Sequence, residues 1–161
     1  MKLKISNPFW QVLSLGALAG MRSASAPAIA SHILSSHRSH MLSKSSLSFM
    51  QSKNVSNVLK VIAAGEVIAD KLPFAPDRIK PFSLFARCLA GSLAGASIYK
   101  AYNGSLITGA LLGSAGAITS AFGSFYLRKS IVKHANLIDP VIGAIEDTLV
   151  FGAGASLIYT A

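Results

Sequence analysis

Five mainly apolar stretches divide the chain, each close to or above the roughly 20 residues that a membrane-spanning helix needs. They cover about residues 8–34, 55–72, 81–102, 106–127 and 139–159, and polar or proline-containing segments separate them. The pattern predicts an all-α fold, a polytopic membrane helix bundle of about five spans. We expect residues 1–161 to form a single membrane domain.

The first apolar stretch contains a predicted break. Residues 20–27 combine a glycine, an arginine and two serines with Pro27, which lacks an N–H and disfavours helical backbone at the preceding residue. We predict two half-helices or a sharp kink at mid-depth, a backbone tolerated there only inside protein or beside a cavity. If this segment is re-entrant, four full spans remain and both termini share a side.

A cleaved signal peptide is the alternative for the N-terminus, because Lys2 and Lys4 precede an apolar run that small residues follow. Arg22 interrupts the would-be cleavage region, and apolar sequence resumes at residue 27. We therefore favour an uncleaved first span.

Local signals predict the ends of the other stretches. Pro73 ends the second stretch, and Pro81 suits the first turn of the third. We expect Arg128 and Lys129 to end the fourth, and Asp139 to open the fifth, where the helix dipole favours an acid. Within the polar loop 35–53, scattered apolar residues predict a short interfacial helix.

Composition agrees with a membrane protein. Hydrophobic residues make up 52% of the chain and charged residues 13%, and the mean hydropathy is +0.51. The formal net charge is +9, but the cations lie mostly at the edges of apolar runs, as expected for contact with lipid headgroups. No nucleic-acid motif accompanies them, so the expected partner is the lipid bilayer and not nucleic acid.

Ionisable residues inside the apolar stretches are the strongest functional signal. Each costs roughly 2.5–3.5 kcal/mol on insertion scales, so a chain that keeps several usually pairs them or uses them. The candidate intramembrane charged site comprises Arg22, Glu66, Asp70, Arg87, Glu146 and Asp147. They form either a proton, cation or anion site or a set of ion pairs that fixes helix packing.

Spacing refines this set. Glu66 and Asp70 are four residues apart and share a helix face. Glu146 and Asp147 point about 100° apart on a helix, so one of them faces a given cavity, and Gly143 makes Glu146 the preferred candidate. Arg22 could hold an anion or neutralise Glu66 or Glu146.

A weak internal echo accompanies the charges. Residues 61–66 resemble residues 141–146, both end in a glutamate, and a small-residue segment precedes each (residues 20–30 and 113–123). An inverted repeat, with the third helix as connector, is one interpretation; chance similarity of a short low-complexity match is the other.

Other chemistry finds little support. His32, His37 and His40 match no metal-ligand spacing, and Cys88 has apolar neighbours typical of an inert thiol. No nucleotide-binding loop, catalytic triad or cofactor fingerprint is present, so we predict no catalytic residue, cofactor or metal, and no enzyme.

The motifs together resemble a known family. Gly20 to Ala28, Gly65 to Pro73 with Pro76-Asp77-Arg78, Arg87 before Gly91, and Asp139-Pro140 with Glu146-Asp147 are similar to the bacterial family called domain of unknown function 4126. The resemblance covers nearly the whole chain and implies an integral membrane protein with several helices. It implies no activity, substrate or catalytic residue.

The sequence leaves two hypotheses. The first is a small transporter or channel-like protein for an ion or small solute, with Glu66 and Glu146 binding or coupling the cation, Arg22 as counter-ion or anion ligand, and Arg87 balancing the charge. The alternative is a non-transporting membrane scaffold or assembly protein. We expect a homo-oligomer, because five short helices enclose little volume. We expect it in the bacterial inner membrane, with a cytoplasmic N-terminus, because a five-span count places eight basic residues on that side against four on the other.

Overall fold

The computed structural model describes residues 8–69, 81–135 and 139–159, and at 128, 131–135 and 139–146 it describes the backbone alone. All regular secondary structure in these ranges is helical, and they contain no strand. The helices are α1 (Pro8–Met21), α2 (Ser25–Ser36), α3 (His40–Ser43), a 3₁₀ helix (Ser48–Gln51), α4 (Lys53–Ala69), α5 (Pro81–Ala101), α6 (Leu106–Ala135) and α7 (Asp139–Tyr159).

The predicted helices are present, with one wrong boundary. α1 and α2 flank a break at residues 22–24, α5 begins at Pro81, and α7 begins at Asp139. The apolar part of α6 ends at Leu127 as expected, but the expected end of the helix itself at Arg128 and Lys129 is wrong, because α6 continues to Ala135. Arginine and lysine are good helix formers, so they end an apolar run without ending a helix. Pro73 lies outside the described residues.

α1 and α2 form a helical hairpin. At its tip, the Arg87 side chain contacts the Gly20 and Met21 carbonyl oxygens. Beyond the end of α2, the Ser39 hydroxyl donates to the Ala101 carbonyl oxygen. Arg87 and Ala101 are about 21 Å apart along the α5 axis. Residue 39 therefore lies back near the C-terminal end of α5, and α2 returns toward the end where α1 begins.

Close packing of α1, α5 and α6 holds the hairpin in place. A Cβ atom added to Gly16 would lie 2.5 Å from the Gly113 carbonyl oxygen, and one added to Gly91 would lie 2.5 Å from that same oxygen. Gly95 faces Gly109 in the same way. The backbones of α1 and α5 thus both touch α6, which is the small-residue packing typical of membrane helices.

α4 and α7 flank the returning helix α2. Glu66 contacts Ser23 at one end of α4, and Lys60 approaches His32 further along, so α4 runs antiparallel to α2. Asp147 contacts Arg22. Gly154 lies against Ile29 seven residues later, so α7 runs parallel to α2 and opposite to α4. Opposite directions agree with an inverted repeat, but α6 is unbroken through residues 113–123, and the repeat stays a prediction.

A short cap covers the end of the bundle away from the tip. The predicted helix in loop 35–53 is replaced by two single turns, α3 and the 3₁₀ helix. Leu42 and Met50 from these turns are fully buried in the same core cluster as Ile98 and Ala101.

Two of the described helices, α5 and the first 22 residues of α6, are long and apolar enough to cross a membrane. The prediction of about five spans is not confirmed. α1, α2 and α4 have 14, 12 and 17 residues, and in α7 the apolar segment Asp147–Tyr159 is shorter than a span.

Candidate functional site at the hairpin tip

Local sequence makes the break between α1 and α2. The Arg22 N–H still donates to the Leu18 carbonyl, but the Ser25 hydroxyl and Ser25 N–H both turn back to the Arg22 carbonyl, at 2.8 and 3.3 Å. Pro27 lies in the first turn of α2, where its missing N–H costs nothing. Such a break leaves free carbonyl oxygens at the end of α1 and free N–H groups at the start of α2.

Glu66 of α4 caps the start of α2. One carboxylate oxygen accepts hydrogen bonds from the Ser23 N–H (2.9 Å) and the Ser23 hydroxyl (2.7 Å), and the other accepts one from the Ala24 N–H (2.7 Å). Ala24, the residue at the cap position, has no side chain able to do this. A carboxylate at a helix N-terminus also meets the positive end of the helix dipole. Glu66 therefore supplies from another helix the cap that local sequence lacks.

Arg87 of α5 caps the end of α1. Its Nη1 donates to the Gly20 and Met21 carbonyl oxygens, each at 2.8 Å, and its Nε donates to the Ser83 hydroxyl at 3.3 Å. The residue is 5% exposed. A cation at a helix C-terminus again matches the dipole, so the two ends of the break are neutralised by groups of opposite charge.

Arg22, in the break itself, binds α7. Its Nε donates to Asp147 Oδ1 at 2.6 Å, and its Nη2 forms an ion pair with the same oxygen. Arg22 is 4% exposed, and the Asp147 side chain is largely buried. The tip therefore gathers two cations and two carboxylates from α4, α5, α7 and the break.

Four of the six residues predicted from the sequence meet at the tip: Arg22, Glu66, Arg87 and Asp147. The structure shows Arg22 with Asp147, whereas sequence reasoning considered Glu66 and Glu146 as its partners. The side chain of Glu146 and all of Asp70 lie outside the described residues.

Sequence reasoning missed Ser23 and Ser83 as individual contacts. Ser23 binds Glu66, and Ser83 steadies Arg87 one helical turn away. A polar residue four positions before a buried arginine, on the same helix face, is the signal that could have identified Ser83.

No group of three or more metal-ligating side chains occurs in the part of the chain that the structure describes. Of the three histidines considered from the sequence, His32 lies on α2 and has its Nδ1 2.9 Å from Lys60 Nζ, so these two side chains share a hydrogen bond.

The fold and the tip define an all-helical protein in which charged side chains from three helices close a break between two others. The chain belongs to the family described as Domain of unknown function (DUF4126), whose model matches residues 10–159. The resemblance drawn from the sequence motifs is thereby confirmed. No curated protein and no solved structure is similar enough to the chain to count as a match.

Proposed function

We propose that the protein is an integral membrane protein with α5 and α6 crossing the bilayer. In the most apolar window of each helix, 39% and 28% of the residues are buried, so most of both windows faces outward. Phe82 is 83% exposed and Ile107 is 72% exposed. A core helix of a soluble protein hides such surface, whereas lipid accepts it.

The hairpin tip lies within the depth of these two helices. Gly20 faces Ala117 and Ala121, well inside the apolar window of α6. Non-helical backbone at that depth must be satisfied by protein, and broken helices whose ends meet charged groups are typical of transporter sites.

We propose that the protein is a small transporter or channel-like protein for a cation or small solute, and that the tip is its site. The observation that carries this proposal is the use of Glu66 as the cap of another helix. A proton or cation bound to Glu66 competes with the N–H groups of Ser23 and Ala24 for the same carboxylate oxygens. Occupancy of Glu66 is thereby coupled to the conformation of the hairpin.

The test is flux in proteoliposomes made with purified wild-type protein and the variant Glu66→Gln. Gln keeps the shape but loses the charge and one acceptor oxygen, so ion- or pH-coupled flux should be lost while the protein remains folded. Gly65→Ala on the same helix is the matched control, because a Cβ there meets nothing within 4 Å. Unchanged flux in Glu66→Gln would refute the proposal.

A non-transporting scaffold is the second candidate. One observation favours it: Arg22, Glu66, Arg87 and Asp147 all have partners within the chain. If this is the function, wild-type proteoliposomes show no coupled flux, and Glu66→Gln changes stability alone.

The basic-residue count that predicts the membrane orientation changes if residues 8–34 form a re-entrant hairpin. The predicted cytoplasmic N-terminus assumed that residues 8–34 cross the bilayer. With a re-entrant hairpin, Lys2 and Lys4 are counted on the same side as Arg38, Lys44, Lys53 and Lys100. Each side of the membrane then carries six basic residues. The positive-inside rule favours neither orientation at equal counts. A cytoplasmic N-terminus in the inner membrane, like the homo-oligomer, remains our proposal, to be tested with cysteine accessibility and with mass measurements in detergent.

A further inference from the structure

We infer that the end of the bundle opposite the tip binds anionic phospholipid headgroups through Arg38, Lys44, Lys53 and Lys100, a surface called here the basic cap. This inference rests on the proposed membrane location and is independent of transport.

A hydrogen-bond network fixes the backbone that carries the basic cap. The Ser39 hydroxyl donates to the Ala101 carbonyl oxygen at 2.7 Å, which ties the loop to the end of α5. The Ser39 N–H donates to Gln51 Oε1 at 2.7 Å, and Gln51 Nε2 donates to the Ser43 hydroxyl at 3.2 Å. Gln51 is itself buried, and its side chain joins the 3₁₀ helix to α3, while the Ser39 hydroxyl joins this unit to α5.

Each cation of the basic cap lies within two residues of this network. Arg38 precedes Ser39, and Lys100 precedes Ala101. The Arg38, Lys44 and Lys53 side chains are exposed, and Lys100 is half-buried. The network therefore holds the backbone of all four basic residues at one end of the molecule before a ligand binds. This preorganisation lowers the entropic cost of binding.

In the part of the chain whose side chains the structure describes, no carboxylate lies beside the basic cap. Residues 1–65 contain no Asp or Glu, and neither do residues 79–138. Of the acids whose side chains are described, Glu66 and Asp147 both bind groups at the tip, at the other end of the hairpin. Among the described side chains, the positive charge of the basic cap therefore has no acidic partner, and an anionic ligand would neutralise it.

Apolar residues beside the cations favour lipid over a soluble anion. Met41 and Phe49 are exposed within the cap, and Trp10 is 62% exposed in the first turn of α1, at the same end of the bundle. Tryptophan and basic residues together are typical of the membrane interface, where one contacts the acyl boundary and the other the headgroups.

The experiment uses the fluorescence of Trp10, the single tryptophan of the chain. The purified full-length protein is placed in bilayers of phosphatidylcholine, and phosphatidylglycerol or phosphatidylcholine with brominated acyl chains is titrated in. Wild-type protein should show stronger quenching by the brominated phosphatidylglycerol, at least about tenfold in relative binding constant, given four cations near an anionic surface. Equal quenching by the two lipids would overturn the inference.

The variant carries Arg38→Gln, Lys44→Gln, Lys53→Gln and Lys100→Gln, and it should lose the preference for phosphatidylglycerol. The control neutralises Arg128, Lys129 and Lys133 at the far end of α6, and it should keep the preference, because those cations are remote from Trp10. The inference is contradicted if both variants lose the preference for phosphatidylglycerol, or if neither variant loses it. If the fourfold variant does not fold, the exposed pair Lys44→Gln and Lys53→Gln should give an intermediate preference, and an unchanged one contradicts the inference.

Two further experiments distinguish a lipid site from a phosphate site and test the membrane location separately. Inorganic phosphate at millimolar concentration should not displace phosphatidylglycerol, and displacement would indicate a phosphate site in place of a lipid site. Alkaline carbonate extraction of native membranes tests the membrane location itself. Retention in the membrane without a phosphatidylglycerol preference overturns this inference and leaves the proposed location standing.

Discussion

The packing of α6 against α1 and α5 predicts that glycine-to-alanine substitutions lower the free energy of unfolding at some positions and leave it unchanged or raise it at others. A Cβ at Gly16 or at Gly91 would lie 2.5 Å from the Gly113 carbonyl oxygen, about 0.9 Å closer than ordinary contact begins. The obstacle is backbone, so no side-chain rotation relieves it. A Cβ at Gly95 would also lie 3.0 Å from Val12 Cγ1, so α1 and α5 contact each other, and α6 can relieve the clash only by losing contacts with both helices.

The magnitude follows from two opposing terms. Overpacking of this kind costs about 1–3 kcal/mol, and replacing a helical glycine with alanine returns about 0.8–1.0 kcal/mol in helix propensity. Gly16→Ala and Gly91→Ala should therefore each destabilise by up to about 2 kcal/mol. Because both press on one carbonyl, a shift of α6 that accommodates one Cβ also makes room for the other, so the double variant should lose less than the sum of the two single variants, by at least about 0.5 kcal/mol.

The measurement is reversible unfolding of the purified protein in mixed micelles, followed by circular dichroism. Gly65→Ala and Gly123→Ala are matched controls, since a Cβ at either position meets nothing within 4 Å, and both should be neutral or stabilising. If all four single substitutions change the free energy of unfolding alike, the close approach of the three helices is refuted.

Three further predictions concern buried polar groups. Glu66→Ala leaves two backbone N–H groups of the break without their acceptor, at about 1–3 kcal/mol each, and should raise their amide hydrogen exchange; unchanged exchange contradicts the cap. Gln11 is 3% exposed, and its side-chain amide has no hydrogen-bond partner among the described residues. Gln11→Leu should therefore raise the free energy of unfolding by about 1–3 kcal/mol in the same assay, whereas a lower free energy of unfolding would indicate that the amide has a partner. Asp147→Asn should cost about 3–5 kcal/mol, because it removes the negative charge that pairs with the buried Arg22 side chain. A double-mutant cycle with Arg22→Gln should show coupling, and additive effects would show that the two side chains do not interact.

The tip could be predicted from the sequence in kind but not in detail. A cation inside an apolar stretch next to serines and Pro27 marks a break, and mid-helix glutamate and arginine mark groups that must find partners. The partners themselves are set by contacts between helices far apart in the chain. The sequence favoured Glu146 over Asp147 because of Gly143, whereas the structure shows Asp147 at Arg22, and the Glu146 side chain lies outside the described residues.

Local sequence by itself determined the helices and the break, because apolar runs, prolines and serines act within a few residues of one another. Tertiary structure decided that α2 turns back along α1, which lowers the number of segments that could cross a membrane. Helices that are apolar on most of their surface have no distinct inner face, so periodicity does not say which side packs inward. The directions and packing partners of these helices depend on glycine contacts and on charged side chains that satisfy the broken backbone. Both kinds of contact join residues far apart in the sequence and form only when the helices assemble.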